Sequence, residues 1–174
     1  MKRSYEKELM DFPGNDPALL ADDLRNLRLL NSFLNGSRSV GLALNHLLRR
    51  APLQGFLLLD VGTGSADIPA QLLARLHRRG VNGKVVGMEA DPVTARIAAQ
   101  RSANLPDIEI IQGDAGAPPF LPSSFDFVVA SHFLHHFAET RIIELLKQWA
   151  KLARRGIIIS DLVRHPVAYH GIRL

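Results

Sequence analysis

The chain has 174 residues, of which 47% are hydrophobic and 22% are charged, which fits one domain with a sizeable core and excludes a disordered tail or a coiled-coil rod. The absence of cysteine excludes disulfides and Cys-ligated metal sites, while the lack of a signal-peptide pattern or an apolar run near ~20 residues predicts a cytoplasmic protein with no membrane partner. Much of the net charge of +4 comes from arginine pairs near the ends of predicted helices, where cations complement the helix dipole, so a nucleic-acid partner is disfavoured.

Two helices are predicted at the start of the chain. The first carries leucines at helical spacing from Leu20 to Leu34, and the second carries an apolar face from Val40 to Leu48 that ends before Pro52. We expect residues 1–52 to form a helical appendage to residues 53–174, which carry the ligand-binding α/β pattern of a single-domain chain. This appendage could close over a pocket as a lid, and plain packing against the sheet is the alternative.

Short apolar runs then alternate with helical patterns. The runs are FLLLDVG, KVVGMEADP, IEIIQGD, FDFVVAS and GIIISDL, and the first of them, Phe56–Gly62, has the continuous apolar character of a strand buried on both faces. Such alternation predicts an α/β fold with a doubly wound, mainly parallel sheet. Ligands in such sheets bind beyond the carboxyl ends of the strands, so functional residues are expected there.

A glycine turn, DVGTGSADIP, follows the first strand. A dinucleotide-binding turn would need a third glycine at position 67, where the chain has Asp67, and a carboxylate there would face the pyrophosphate. A phosphate-binding loop is excluded because no G-K-[ST] follows, and a nucleophile elbow is excluded because Ser65 lacks flanking glycines at the required offsets.

The segment Asp60–Ala66 resembles the first motif of class I S-adenosylmethionine-dependent methyltransferases, with Ala66 in place of the last glycine. The second strand ends in GMEADP, which resembles the second motif of that family. The resemblance implies that Glu89, with Ala90 beside it, accepts hydrogen bonds from both ribose hydroxyls of the cofactor, whereas Asp91 is predicted to cap the next helix. It also places four residues of the glycine turn at the cofactor, namely Asp60, Gly62, Thr63 and Gly64.

The third and fourth strands extend the resemblance. It implies that Asp114 accepts a hydrogen bond from the adenine amino group and that the backbone N–H of Ala115 meets a ring nitrogen. Ser131, at the end of the fourth strand, would lie beside the methionine portion of the cofactor. Carboxylates thus follow three consecutive strands, and the resemblance covers residues 57 to about 162.

Three histidines lie in the segment SHFLHHF after the fourth strand. Either His135 or His136 is a candidate general base, because imidazole titrates near neutral pH. The alternative is a histidine that packs or shields the cofactor. The histidine spacing suits no common zinc motif, so we expect no metal site.

The resemblance implies an enzyme that moves the methyl group of S-adenosyl-L-methionine to a small-molecule acceptor atom (O, N or C) by in-line displacement, leaving S-adenosyl-L-homocysteine. Sheets of this family usually contain two strands after the fifth, which we expect to be lacking here, so a second copy of the chain could cover the edge near Ile157–Ser160 as a homo-oligomer. Two alternatives remain open. One is a non-catalytic cofactor-binding or truncated inactive form, and the other is an RNA methyltransferase, although SHFLHH stands where base-amine methyltransferases often carry an N-P-P-Y-like sequence.

Overall fold

The computed structural model describes residues 36–50 and 53–161. The first predicted helix, from Leu20 to Leu34, lies outside the described residues. Of the helical appendage predicted as a lid, the described residues therefore include the second helix and not the first. The described helices are α1 (Gly36–Arg50), α2 (Asp67–His77), α3 (Pro92–Ser102) and α4 (Glu139–Leu152). The described strands are β1 (Gly55–Val61), β2 (Asn82–Glu89), β3 (Ile108–Gln112), β4 (Phe125–Ser131) and β5 (Ala153–Ser160).

The five described strands form one sheet in the order β3-β2-β1-β4-β5, and every neighbouring pair is parallel. The predicted α/β fold with a parallel sheet is therefore confirmed. β1 lies between β2 and β4, so the winding direction reverses at β1, and its carboxyl end lies at the switch point where such sheets bind ligands. Among the helices of the described residues, none has the length and apolar character needed to cross a membrane.

The core consists of one apolar layer on each face of the sheet. Successive residues of β1 alternate between the layers, with Leu58 in one and Leu59 in the other, as the two-residue period of a strand requires. α1 and α2 cover the first layer, whereas α4 covers the second with Leu145, Trp149 and Leu152. Burial on both faces explains why β1 and β4 are continuous apolar runs in the sequence.

The fifth strand begins earlier than the sequence predicts. It was expected from Gly156, but β5 starts at Ala153, directly after the last residue of α4. Ala153 pairs with Phe125, and an irregularity in the ladder follows before Gly156 pairs with Phe127. The charged pair Arg154–Arg155 concealed this start because charged residues are not typical of a buried strand.

Two polar side chains support the elements around the site. Asp91 accepts a hydrogen bond from the backbone N–H of Thr94 at 2.7 Å and so caps α3 in the predicted manner. Asp126 of β4 accepts a hydrogen bond from the backbone N–H of Leu57 at 2.9 Å, which ties the entry of β1 to its neighbouring strand. Both carboxylates therefore act in positioning the backbone.

Candidate functional site

The turn between β1 and α2 has a backbone shape that few residues adopt. Gly62, Gly64 and Ala66 all have positive φ angles, of 68°, 56° and 60°. The backbone N–H groups of Gly62 and Thr63 donate to the carbonyl oxygen of Met88 at 2.9 and 3.1 Å. These bonds hold the turn against the carboxyl end of β2, where the second predicted motif begins.

The two glycines of the turn face different surroundings. A Cβ atom on Gly62 would collide with the ring of Phe133, which lies against the turn from the segment after β4. A Cβ atom on Gly64 would have no heavy atom of the described residues within 4 Å. Gly62 is therefore required by internal packing, whereas Gly64 leaves space open at the edge where a ligand is expected.

Asp60 is buried beneath the turn and is 3% exposed. Its Oδ2 atom accepts a hydrogen bond from the Thr63 hydroxyl at 2.8 Å. Burial raises the pKa of Asp60 to about 7, and the nearby Asp67 and Glu89 carboxylates raise it further, whereas the Thr63 hydrogen bond opposes the rise. Asp60 thus contacts the inside of the turn and shapes it from below.

Glu89 binds the same turn from β2. Its Oε2 atom accepts a hydrogen bond from the N–H of Gly64 at 3.0 Å, and its Oε1 atom accepts from Ala90 at 2.9 Å and from Asp91 at 3.2 Å. Burial raises the pKa of Glu89, and these backbone donors oppose the rise. A carboxylate has about four acceptor positions. Donors among residues 36–50 and 53–161 fill three of them, and one is left on Oε2.

The end of β3 supplies an exposed carboxylate. Asp114 accepts a hydrogen bond from the N–H of Gly116 at 2.8 Å, which closes a small turn after the strand. Next to it, the buried Ala115 accepts a hydrogen bond through its carbonyl oxygen from the indole N–H of Trp149 at 2.9 Å. The guanidinium of Arg141 packs over Gly116 near this carboxylate. The segment predicted to meet adenine is therefore fixed by α4.

Two buried polar atoms near the glycine turn have no hydrogen-bond partner within residues 36–50 and 53–161: Asp67 Oδ2 and Ser131 Oγ. The other oxygen of Asp67 accepts a hydrogen bond from the Ser65 hydroxyl at 2.9 Å. An unpaired buried polar atom is costly unless a ligand or water satisfies it. S-adenosyl-L-methionine carries an ammonium and a sulfonium, so an acceptor at Asp67 and a hydroxyl at Ser131 fit its methionine portion.

The histidine segment crosses the same edge. His132 has a positive φ of 50°, and its backbone N–H donates to Ser160 at 2.8 Å. Burial lowers the pKa of His132. His135 contacts Asp161, with 2.7 Å between Nδ1 and Oδ1, and its ring lies 4.2 Å from that of His136, measured between centroids. No group of three or more His, Cys, Asp or Glu side chains that could hold a metal ion occurs in the described part of the chain.

The fold brings most of the predicted site residues to one edge of the sheet. Asp60 lies near the carboxyl end of β1, Glu89 is the last residue of β2, and Asp114 lies two residues after β3. These three strands are adjacent in the sheet, and Glu89 contacts the glycine turn directly. Three residues were not predicted as site residues: Phe133, Asp67 and Asp161. Asp67 had a signal in the sequence, because a carboxylate at the start of a helix after a glycine turn disfavours a phosphate and favours a cationic ligand.

Comparisons with known proteins show the family to which the chain belongs. Residues 58–156 match the family described as the methyltransferase domain. The chain is 40% identical over 103 residues to the 2-phytyl-1,4-naphtoquinone methyltransferase of Thermosynechococcus vestitus, which covers 59% of this chain and 44% of that protein. It is 28% identical over 109 residues to a demethylmenaquinone methyltransferase of Staphylococcus epidermidis, covering 63% of this chain and 43% of that protein. The chain therefore spans less than half the length of these relatives.

A solved structure shares the fold. A Methanococcus maripaludis protein assigned to the S-adenosyl-L-methionine-dependent methyltransferases superimposes with a TM-score of 0.60 over 88% of this chain and 63% of that chain, at 13% sequence identity. The cofactor expected from the sequence, S-adenosyl-L-methionine, is the one that this fold and family imply. With the family match over residues 58–156 and the five-stranded parallel sheet, the chain belongs to the methyltransferase domain family and has the Rossmann-like fold of S-adenosyl-L-methionine-dependent methyltransferases.

Proposed function

We propose that this chain transfers a methyl group from S-adenosyl-L-methionine to a small-molecule acceptor. The observation that carries the proposal is the hydrogen bond of 3.0 Å between the Gly64 N–H and Glu89 Oε2. It joins the open side of a glycine turn to a carboxylate that retains one acceptor position. At this site a ligand can approach the backbone at Gly64 closely and meet the Glu89 carboxylate. A carboxylate only accepts hydrogen bonds, so it suits the two hydroxyls of an adenosine ribose better than it suits a phosphate.

The cofactor is assigned to residues along the strand ends. Glu89 would take one ribose hydroxyl at its remaining acceptor position and the other by replacing the 3.2 Å contact from Asp91 N–H, with Ala90 beside it. The turn, shaped by Asp60 and Thr63 and open at Gly64, would pass under the ribose and the methionine portion. Asp114 and Ala115 would meet adenine, as the sequence resemblance implies.

The methionine portion is assigned to the two unpaired buried atoms. Asp67 Oδ2 would accept a hydrogen bond from the ammonium, and the hydroxyl of Ser131 would contact the same portion. When bound, the cofactor supplies an electrophilic methyl group on a positively charged sulfur. The work left for the protein is to hold the acceptor atom in line and about 3 Å from that methyl carbon, which can supply ~7–11 kcal/mol as effective molarity.

For the acceptor, we propose a hydroxylated aromatic ring of the quinone class in its reduced form. The support is the naphthoquinone named in the 40% identical relative, together with the aromatic side chains Phe133 and Phe137 after β4, whose ring centroids are 5.0 Å apart. A methyl group bound to sulfur needs an electron-rich partner. A reduced ring with an ionisable hydroxyl meets that need, whereas the oxidised quinone is itself electron-poor.

We also propose that the protein works in the cytoplasm without a nucleic-acid partner.

A further proposal is that two copies of the chain pair along the β5 edge. In the described sheet, β5 is an outer strand, and Ile159 on it is 40% exposed. Size-exclusion chromatography with light scattering would test it. A dimer that persists after Ile159→Lys would rule out this edge as the interface.

Calorimetric titration with S-adenosyl-L-methionine and S-adenosyl-L-homocysteine tests the proposal. We expect micromolar affinity for wild type and at least tenfold weaker binding for Glu89→Ala, about 1.4 kcal/mol for the lost hydrogen bonds to a carboxylate. Glu109→Ala, which removes an exposed carboxylate from the neighbouring β3, is the matched control and should bind as wild type does. Equal affinity in all three proteins would remove Glu89 from the site. Binding without methylation of 1,4-dihydroxynaphthalene or other reduced quinones would favour the non-catalytic alternative.

A further inference from the structure

We infer that Asp161 positions His135 as the general base that removes the proton from the acceptor hydroxyl. This inference rests on the proposed function and assigns the base that the sequence left open between His135 and His136. Asp161 was no part of the sequence-derived site. It lies 26 residues after His135, so only the fold brings them together.

The pairing follows from the topology of the sheet. β4 and β5 are parallel neighbours, with Ser131 opposite Ser160 at their carboxyl ends. The segment after β4 makes a short 3-10 helix over Leu134–His136, and Asp161 follows β5 directly. The backbone N–H of His132 donates to the carbonyl oxygen of Ser160 at 2.8 Å and holds the two segments together.

Asp161 contacts His135 through both carboxylate oxygens. Oδ1 lies 2.7 Å from the ring nitrogen Nδ1, and Oδ2 accepts a hydrogen bond from the His135 backbone N–H at 3.0 Å. Two contacts fix the orientation of the carboxylate, so the ring nitrogen meets a rigid acceptor. The side chains are 21% and 20% exposed, which shields the pair partly and still leaves a route for a proton to solvent.

An ionised carboxylate at Nδ1 selects one tautomer of the imidazole. It accepts a hydrogen bond, so Nδ1 carries the hydrogen and Nε2 carries the lone pair that acts as a base. The same carboxylate stabilises the imidazolium that forms when Nε2 takes a proton. The side chain of His136 is exposed, whereas the ring of His135 is held by the Asp161 carboxylate. This difference in surroundings favours His135 as the base.

The histidines lie beside the proposed cofactor site. The rings of His135 and His136 are 4.2 Å apart, and the ring of His136 lies 6.5 Å from that of Phe133, both measured between centroids. Phe133 in turn packs on Gly62 of the turn. This chain of contacts leads from the base to the turn proposed to hold the cofactor.

The proton and electrons balance as follows. Nε2 of His135 takes the hydroxyl proton of the acceptor, and the electron pair left on oxygen forms the new bond to the methyl carbon. The carbon–sulfur bond breaks with its electron pair kept on sulfur, so the positive charge moves from sulfur to the imidazolium. Asp161 balances that charge until the proton leaves to solvent. If the conjugated ring carbon attacks instead, the deprotonated oxygen becomes a carbonyl. The hydrogen on the methylated carbon then leaves to solvent as a proton, and the carbonyl oxygen takes up a proton from solvent, which restores the aromatic ring.

Other ionisable groups also face this pair. The ring of His136 packs at a tilt against that of His135, and His132 interacts electrostatically with both Asp161 and His135. Asp67, at the start of α2, also interacts electrostatically with His132. The acid limb of the pH profile of methylation therefore reflects the coupled titration of all these side chains. A single substitution that displaces this limb identifies the side chain whose protonation controls the reaction.

The first experiment needs no acceptor. Nitrogen NMR of the imidazole rings in the full chain should show His135 with hydrogen on Nδ1, and Asp161→Asn should change that tautomer or its exchange rate. A hydrogen on Nε2 of neutral His135 in wild type would overturn the inference. So would an unchanged ring signal in the folded Asp161→Asn protein.

The second experiment measures methylation of 1,4-dihydroxynaphthalene from pH 5.5 to 9. We expect Asp161→Asn to lower kcat at least tenfold with KM changed less than threefold, and to move the acid limb to lower pH because the imidazolium loses its counter-ion. His135→Gln should lower kcat at least a hundredfold, and more than His136→Gln. The matched control is Asp107→Asn, which removes the partner of the exposed His77 and should leave kcat unchanged. A kcat of Asp161→Asn equal to that of the control would refute the positioning role.

Calorimetry on the same proteins separates the two hypotheses. If wild type does not bind S-adenosyl-L-methionine, the proposed function fails, whatever the tautomer of His135. If Asp161→Asn binds the cofactor within twofold of wild type while kcat falls, the loss lies in the chemical step, as inferred. If Asp161→Asn is unfolded, Asp161→Glu tests the same carboxylate with its charge retained, and wild-type kcat in that variant would overturn the need for the observed geometry.

Discussion

The substitution Asp60→Asn should change how the stability of the protein depends on pH. The pKa of Asp60 is raised from 3.8 to about 7, chiefly by burial. Between these two values the folded protein keeps a proton that the unfolded chain has lost, so the free energy of unfolding falls as pH rises and levels off above about pH 7. At 1.36 kcal/mol per pKa unit, the full rise corresponds to about 4 kcal/mol.

The measurable part lies between pH 5 and pH 8. Integrating the linkage relation over that range gives a loss of about 2.5 kcal/mol for wild type. The amide of the Asp60→Asn variant does not titrate, and its oxygen can still accept the Thr63 hydroxyl, which lies 2.8 Å from Asp60 Oδ2 in wild type. The difference in unfolding free energy between wild type and Asp60→Asn should therefore change by about 2.5 kcal/mol, with the variant favoured at high pH.

Urea unfolding followed by circular dichroism at five or six pH values measures this difference. Raised pKa values at Glu89 and a lowered one at His132 also make stability depend on pH, with opposite signs, but they are present in both proteins and largely cancel. Asp114→Asn, which removes an exposed carboxyl at the same edge, is the matched control and should run parallel to wild type. If the curves of Asp60→Asn and wild type were also parallel, Asp60 would not carry the proton that its burial implies.

Further predictions concern the turn and its support. Gly62→Ala should lower the free energy of unfolding by about 2–5 kcal/mol, because a Cβ atom there meets both a positive φ and the ring of Phe133, whereas Gly64→Ala should cost only about 1–2 kcal/mol for its positive φ. In calorimetry, Gly64→Ala should still weaken S-adenosyl-L-methionine binding at least tenfold because its Cβ enters the open side of the turn; equal binding would place the cofactor elsewhere. Trp149→Phe should cost about 1–3 kcal/mol in urea unfolding because it leaves the buried carbonyl of Ala115 without its donor, and a cost under about 0.5 kcal/mol would mean that water replaces the indole.

Local residue patterns predicted most of the elements. Apolar runs of strand length alternate with helical patterns, and Asp91-Pro92 marks the start of α3 where the structure has it. The start of β5 was predicted three residues late. Pairing of Ala153 with Phe125 extends the strand to include Arg154 and Arg155, although charged residues are not typical of a buried strand. Tertiary pairing thus overrode a local pattern at that position.

The sequence by itself determined that three acids lie along one edge of the sheet. Parallel strands end at a common edge, so acids at the carboxyl ends of β1, β2 and β3 lie there whatever the packing of the helices. Only the tertiary structure decided that Asp161 contacts His135, that Phe133 covers Gly62, and that one oxygen of Asp67 is buried without a partner among the described residues. The physical reason is distance along the chain. Hydrogen-bond partners and burial depend on contacts between segments that come together only after the sheet has formed. The local spacing of residues in the sequence does not predict those contacts.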